Sequence, residues 1–478
     1  MRPSIGKDNT SSRSTSSSTL ISHKSEIVHD DYGTIEQIDD DLIELPFISP
    51  PDRGAAAWLV LAACSIIQCP VWGFSLAFGV IQEYYVEHPE KLTGSRSAVA
   101  TIGTTATGIL YLCTPITFAI LARWPQLRAY CGPLGLCIMA FSFVASAFTT
   151  VVWHLLLLQG MLSALGSGLL FTAPIAYLDE WFVSRKGLAY GVMGAAKGIT
   201  GMLVPLLIDR GLREYGAQTT LIIWAVASLA LTAPALCYLR PRVPAWRKPS
   251  DDGRSNHHHH QQQQQAQAEK SSNTTVFLRS PLFWLFQAAN VLEALGFFLP
   301  FAYLSSYAVS IRLPSSTGTL LLAALNGSSI FGCVAIGMLN DAVDVWLALA
   351  FSSLGAGLAV LVFWGAASGA GMLALFAVGY GFFAGGYSSA WAGVMSKVKG
   401  RFPETDTGLV YGLLAGGRGV GNLVSGPLSI LLVTGRKDWV HDGERFGYGG
   451  EYGMMIAFTG VTALLGGSAV AWRCLRRG

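Results

Sequence analysis

Apolar runs long enough to cross a bilayer recur along this chain, separated by short polar stretches. A span needs about 20 apolar residues. Such runs lie near 57–81, 98–121, 129–149, 153–178, 187–208 and 219–239, then near 282–308, 316–340, 344–365, 371–396, 407–433 and 452–472. The pattern predicts an all-α membrane protein of twelve transmembrane helices, arranged as two six-helix bundles at 55–239 and 282–473. The polar break between them, 240–281, holds Arg240, Arg242, Arg247, Lys248, a histidine run from His257 to His260 and a glutamine run. It reads as a low-complexity cytosolic linker, and low-complexity drift explains the histidines better than a metal site. Residues 1–54 are rich in Ser and Thr and then acidic, with no early apolar core. They read as a disordered cytosolic tail rather than a signal peptide, and 474–478 as a second short tail.

The halves repeat each other. Gly187-Leu188-Ala189-Tyr190-Gly191 is followed by Lys197-Gly198 and Pro205, and Gly408-Leu409-Val410-Tyr411-Gly412 by Arg418-Gly419 and Pro427. The offset is constant at 221 residues from Gly187 to Gly198, and the prolines fall one residue out of that register. Duplicated halves with polar residues inside apolar helices are the mark of a secondary transporter.

Composition sharpens this picture. Charged residues make up 13% of the chain, against the roughly 25% usual in soluble domains, and mean hydropathy is +0.45. The 54 glycines suit closely packed membrane helices, and the net charge of +3 gives no sign of a nucleic-acid partner. The cysteines lie in apolar runs without CxxC spacing and read as small core residues. Basic residues set the orientation. With the N-terminus in the cytosol, Arg53, Arg123, Arg128, Arg185, Lys186, the linker cations, Lys397, Lys399, Arg401, Arg473, Arg476 and Arg477 fall inside, outnumbering the basic residues left outside. The sequons at Asn9 and Asn273 are then cytosolic and that at Asn326 lies within a helix, so none is expected to carry glycan.

A few polar side chains fall within the spans. Lys197 lies about ten residues into its helix, roughly 15 Å deep at 1.5 Å per residue, and Arg418 lies at matching depth in the second copy. A buried charge needs a wet cavity or a partner. Together the two would form a positive site for a carboxylate or another acidic ligand, Arg418 offering a planar fork and Lys197 a point charge; the plainer alternative is that each pins its helix to neighbouring carbonyls. Glu293 is either a proton-coupling group or one arm of a fixed salt bridge to Lys197 or Arg418. Asn290, Asn326, Gln68 and Trp72 are further candidates to line the site, or else bond helix to helix. Asp179, Glu180, Arg185 and Lys186 flank a cytosolic turn and read as gate charges that form in one state and break in another, or as a solvated basic loop.

Six plus six helices with a repeat resemble the major facilitator superfamily. Gly337-Met338-Leu339-Asn340-Asp341 is similar to that superfamily's G-x-x-x-D loop signature, which implies a gate role for Asp341. The matching loop, Arg123-Trp124-Pro125-Gln126-Leu127-Arg128, has no Asp. Asp52, Gly54 and Trp58, then Phe182 to Gly191, and Gly417-Arg418-Gly419-Val420-Gly421-Asn422 with Ser425-Gly426-Pro427, resemble the fungal monocarboxylate-porter-like branch. That resemblance implies a secondary carrier moving a small acidic organic solute by alternating access, with protons as a candidate driving ion; a monomer is expected, and the plasma membrane is the default location because no organelle signal is readable. Export of a fungal secondary metabolite, proton-coupled uptake of a monocarboxylate or vitamin, and a non-transporting nutrient sensor all fit these residues. The chain has no HExxH, GxSxG or P-loop, so neither an enzyme, nor a metal or cofactor, nor an ATP motor is expected.

Overall fold

A computed structural model describes residues 50–88, 90, 92–94, 96–242, 275–434 and 447–470. Most of the expected tail, most of the linker with its histidine run, residues 471–478 and the sequons at Asn9 and Asn273 lie outside the described residues. Among those described, twelve helices follow one another: α1 Ala55–Glu87, α2 Arg96–Arg123, α3 Arg128–Ser146, α4 Val152–Trp181, α5 186–215, α6 217–238, α7 Pro281–Ser310, α8 Ser315–Ala342, α9 Val345–Trp364, α10 Ala370–Arg401, α11 Thr407–Thr434 and α12 Gly453–Leu465. The described residues form no strand, only an isolated bridge between Thr93 and Val151. Large apolar side chains face outward along the bundle, among them Phe141, Leu207 and Phe331, each about two-thirds exposed. A water-soluble surface would not carry so many; lipid is their natural solvent.

The helices depart from the expected runs in instructive places. The polar stretch after 208 is helical and does not form a loop. Arg210 and Glu214 (2.8 Å) and Arg213 and Asp209 (2.9 Å) make exposed i,i+4 pairs there. Only Gly216, at φ 77°, breaks the helix and turns α5 into α6. Both α4 and α9 contain a π-turn, at Leu156–Leu162 and Ala359–Trp364. In α7 the helix breaks at Phe298, two residues before Pro300, whose ring nitrogen cannot bond back to the preceding turn. The carbonyl of Phe297, at that break, accepts the Tyr380 hydroxyl of α10 at 3.1 Å.

The repeated segments meet opposite partners. On α5, Gly187, Gly191, Gly198 and Gly201 press against Gly337, Cys333, Ser329 and Asn326 of α8. On α11, Gly408, Gly412 and Gly416 press against Phe118 and Pro115 of α2, and Gly419 against Tyr111. Spacings of three and four put these glycines on one helix face, where the missing side chain lets two backbones approach. Each copy of the repeat is therefore a seam joining a helix of the first six to a helix of the second six.

Candidate functional site

Between these seams lies a cavity of about 30 Å³, lined by Gln68 and Trp72 of α1, Tyr111 of α2, Phe171 of α4, Tyr190, Met193, Gly194 and Lys197 of α5, Ser388, Ser389 and Trp391 of α10, and Tyr411 of α11. It draws on both sets of six helices and has the room of a water or two in this conformation. The two tyrosines of the repeat, Tyr190 and Tyr411, pack on each other at 5.5 Å between ring centroids. Trp72 packs on Tyr111 at 5.1 Å and Trp391 on Tyr411 at 5.3 Å. No carboxylate is among the lining residues.

The two repeat cations converge on Phe297, at the break in α7. Arg418 lies over its ring at 4.1 Å and Lys197 at 5.7 Å from the centroid. Their partners differ. Arg418 Nη2 donates to both oxygens of Glu293, at 2.9 and 2.7 Å, with the two residues 1% and 5% exposed. Of the alternatives for Glu293, the salt bridge is thus made, and with Arg418. Among the described residues no carboxylate lies within ion-pair distance of Lys197. Its Nζ sits 4.2 Å above the Trp72 ring instead, a cation–π contact worth up to about 2 kcal/mol when desolvated. Gln68 orients that ring, taking the indole N–H on Oε1 at 3.0 Å and giving its own amide to the Cys64 carbonyl at 3.3 Å.

The weaker candidates divide. Gln68 and Trp72 line the cavity. Asn290 donates to the Leu414 carbonyl of α11 at 2.7 Å, a helix-to-helix bond outside the lining. Asn326 donates within its own helix to Leu322 at 3.0 Å and packs against Gly201.

At the α4–α5 end the proposed gate residues assemble, with one exception. Asp341, at the end of α8, accepts the Gly187 N–H at 2.6 Å and the Leu188 N–H at 2.8 Å. A carboxylate against a helix N-terminus is favoured by both the free N–H groups and the helix dipole. Asp179 pairs with Lys186 and also takes the Thr407 hydroxyl at the start of α11. Glu180 pairs with Arg128 and accepts the Arg242 N–H at 3.0 Å, while Arg242 Nε donates to the Glu180 carbonyl at 2.7 Å. The Arg185 side chain is exposed and joins no ion pair among the described residues; only its backbone N–H participates. That N–H and those of Val183 and Ser184 converge on the Asp52 carboxylate at 2.9 to 3.1 Å. Burial of Asp52 pushes its carboxyl upward, but the backbone donors outweigh this and hold it below the usual range. The loop after α2 lacks an aspartate, and α11 compensates locally: Asp406 Oδ1 accepts the Gly408 N–H at 2.8 Å.

Sequence reasoning overlooked Tyr111, Phe171, Tyr190, Trp391 and Tyr411 as lining. A signal existed for two of them, since Tyr190 and Tyr411 are corresponding members of the repeat. It also overlooked the gate contacts of Thr407, which carries no mark beyond its residue type, and of Arg128, which it read only as a cytosolic loop cation.

A membrane-spanning helical bundle whose duplicated segments enclose one small central cavity is a multi-pass carrier. Residues 71–426 match the family profile described as Major Facilitator Superfamily, and the chain belongs to that superfamily, a transporter family with the twelve-helix fold. Among curated relatives it is 25% identical over 421 residues to "MFS transporter asaE" of Aspergillus flavus, covering 88% of this chain and 87% of that one. It is 26% identical over 343 residues to the "Fujikurins efflux protein" of Gibberella fujikuroi, covering 71% and 69%. It is 28% identical over 334 residues to the "Agnestins efflux protein AgnL12" of Paecilomyces divaricatus, covering 69% and 70%.

Proposed function

We propose that this transporter exports a small acidic organic metabolite, as a monomer in the fungal plasma membrane with both termini in the cytosol. The observation that carries the reading is Lys197: a half-buried ammonium on the cavity wall, with no carboxylate among the lining residues and none within ion-pair distance among the described residues. Of the three charges at the centre, Glu293 and Arg418 cancel, which leaves one positive charge facing the cavity. An anion entering there neutralises it, whereas a cation meets repulsion across a short, poorly screened distance. The efflux names of the relatives support the direction, and the resemblance of Phe182–Gly191 and Gly417–Asn422 to the monocarboxylate-porter-like branch supports the charge. We place the first six and second six helices as two rocking bundles, with Asp341, Asp179 and Thr407 closing the cytosolic side. Glu293 is the proton-coupling group in this scheme: protonation releases Arg418 for the substrate, and deprotonation reclaims it.

The full chain in proteoliposomes, under an imposed pH step, tests the charge reading. Naphthalene-2-sulfonate and octane-1-sulfonate serve as permanently anionic probes and a trimethyl(naphthyl)ammonium ion as the cationic one. Transport of at least one anion and exclusion of the cation are expected, with a drop of tenfold or more in Lys197→Ala at equal protein and partial recovery in Lys197→Arg. Cation transport, or undiminished anion transport in Lys197→Ala, would overturn the reading.

A further inference from the structure

We infer that the substrate is a flat, conjugated acid whose ring system is bracketed by the aromatic walls, with its charge at Lys197 and a carbonyl or enol oxygen toward Tyr190 and Trp391. The inference rests on the anion-export reading above and goes further by naming the body of the molecule.

Six aromatic side chains, half of the lining residues, are contributed by α1, α2, α4, α5, α10 and α11. In this contracted conformation they satisfy each other. Trp72 leans on Tyr111 and on Phe171, at 5.1 and 5.6 Å, while Tyr411 touches Tyr190, Trp391 and Phe171, at 5.5, 5.3 and 6.2 Å. The Tyr190–Tyr411 and Phe171–Tyr411 contacts cross from the first six helices to the second. A space of about 30 Å³ admits no organic solute, so binding requires the walls to part and these ring contacts to break. A planar π-system inserted between them replaces each lost contact with another of the same kind. A saturated acid fills the space but restores none of the quadrupole-matched geometry. The walls therefore discriminate between flat and puckered molecules of equal charge and size.

Polar groups on the wall add a second constraint. The Tyr190 hydroxyl and the Trp391 indole N–H are buried without hydrogen-bond partners among the described residues, with Tyr190 3% and Trp391 2% exposed. An indole N–H only donates, an ammonium only donates, and a phenol can donate. Unmet donors on a cavity wall call for acceptors on the ligand. One anionic oxygen suffices for Lys197, so the remaining donors ask for at least one further oxygen. A simple aliphatic monocarboxylate offers no plane, and no acceptor beyond its two carboxylate oxygens.

Calorimetric titration of the purified full chain tests this with two probes of equal charge, naphthalene-2-sulfonate and decahydronaphthalene-2-sulfonate. The flat probe should bind about tenfold more tightly, the size of one or two stacked ring contacts. In Trp391→Leu the ratio should collapse to under threefold. Tyr111→Leu, on the lining contributed by the first six helices, should do the same and serves if the first variant fails to fold. A second pair, 2-naphthoate and 3-hydroxy-2-naphthoate, tests the donors: the extra oxygen should raise affinity in the wild type and lose that advantage in Tyr190→Phe. A wild-type ratio under threefold overturns the inference while leaving anion transport standing. Binding of neither sulfonate, together with no transport of octane-1-sulfonate, overturns both.

Discussion

At the level of single side chains the decisive feature is the unequal fate of two equivalent cations. Lys197 and Arg418 occupy the same position in the two copies of the repeat, yet among the described residues only Arg418 has an ion-pair partner. Its planar fork gives Glu293 two bonds from one nitrogen, and the faces of Phe297, Trp391 and Tyr387 surround it at 4.1 to 5.8 Å. Such a pair gains little over an apolar replacement, but breaking it strands a charge. Arg418→Ala is therefore expected to cost about 3–5 kcal/mol, read as a lowered melting temperature in detergent. Glu293→Gln combined with Arg418→Met should recover most of that loss. A single Ala variant as stable as wild type would mean that the pair carries no buried charge. That both groups are charged and buried is legible in the sequence. Which cation Glu293 chooses is not, because that depends on the rotation of α7 about its axis, which hydropathy does not record.

At the level of helices, the ends and breaks govern the geometry. Pro300 and the break at Phe298 set Phe297 between the two cations, and Gly216 divides α5 from α6. The approach to α5 is fastened by Asp52, whose Oδ1 takes the N–H groups of Val183 and Arg185 and whose Oδ2 takes that of Ser184. Because the folded carboxyl titrates below its unfolded value of about 3.9, its stabilisation is complete above that value. It is lost as pH falls through the folded one. In Asp52→Asn an amide NH2 must replace one of the two carboxylate oxygens and oppose a backbone N–H. Melting curves against pH should show wild type more stable than Asp52→Asn at neutral pH, with the gap closing only below about pH 4. A constant gap down to strong acid would exclude a charged Asp52.

Across the whole molecule, the same seams that hold the halves together must also come apart. Near the α4–α5 end the backbones of Gly187 and Gly337 meet so closely that a methyl on either would fall under 3.0 Å from the other's carbonyl oxygen. Neither is the tip of a flexible side chain, so the helices must separate to admit it. Gly337→Ala should favour whichever state opens this end, and Asp341 then loses its hold on α5. Spin labels at the exposed positions Arg185 and Lys399, in a cysteine-depleted chain, should report a distance distribution shifted to longer values. An unshifted distribution would show that the seam does not part there.

Hydrophobic periodicity and length determined the twelve spans, since only helices can satisfy a backbone in lipid without help from elsewhere in the chain. Duplication was equally plain, because a repeat is a property of order along the chain. Helix ends were less so: the runs near 208 and 219 showed a polar gap where the backbone stays helical, because exposed ion pairs support a helix that hydropathy cannot see. The aromatic wall, the Glu293–Arg418 pairing and the capping of α5 by Asp341 were decided in three dimensions. Each joins residues more than a hundred positions apart, and each depends on the rotation of one helix against another. A rotation of a few tens of degrees leaves a helix's sequence and hydropathy unchanged, but it decides whether Tyr190 meets Tyr411 or lipid.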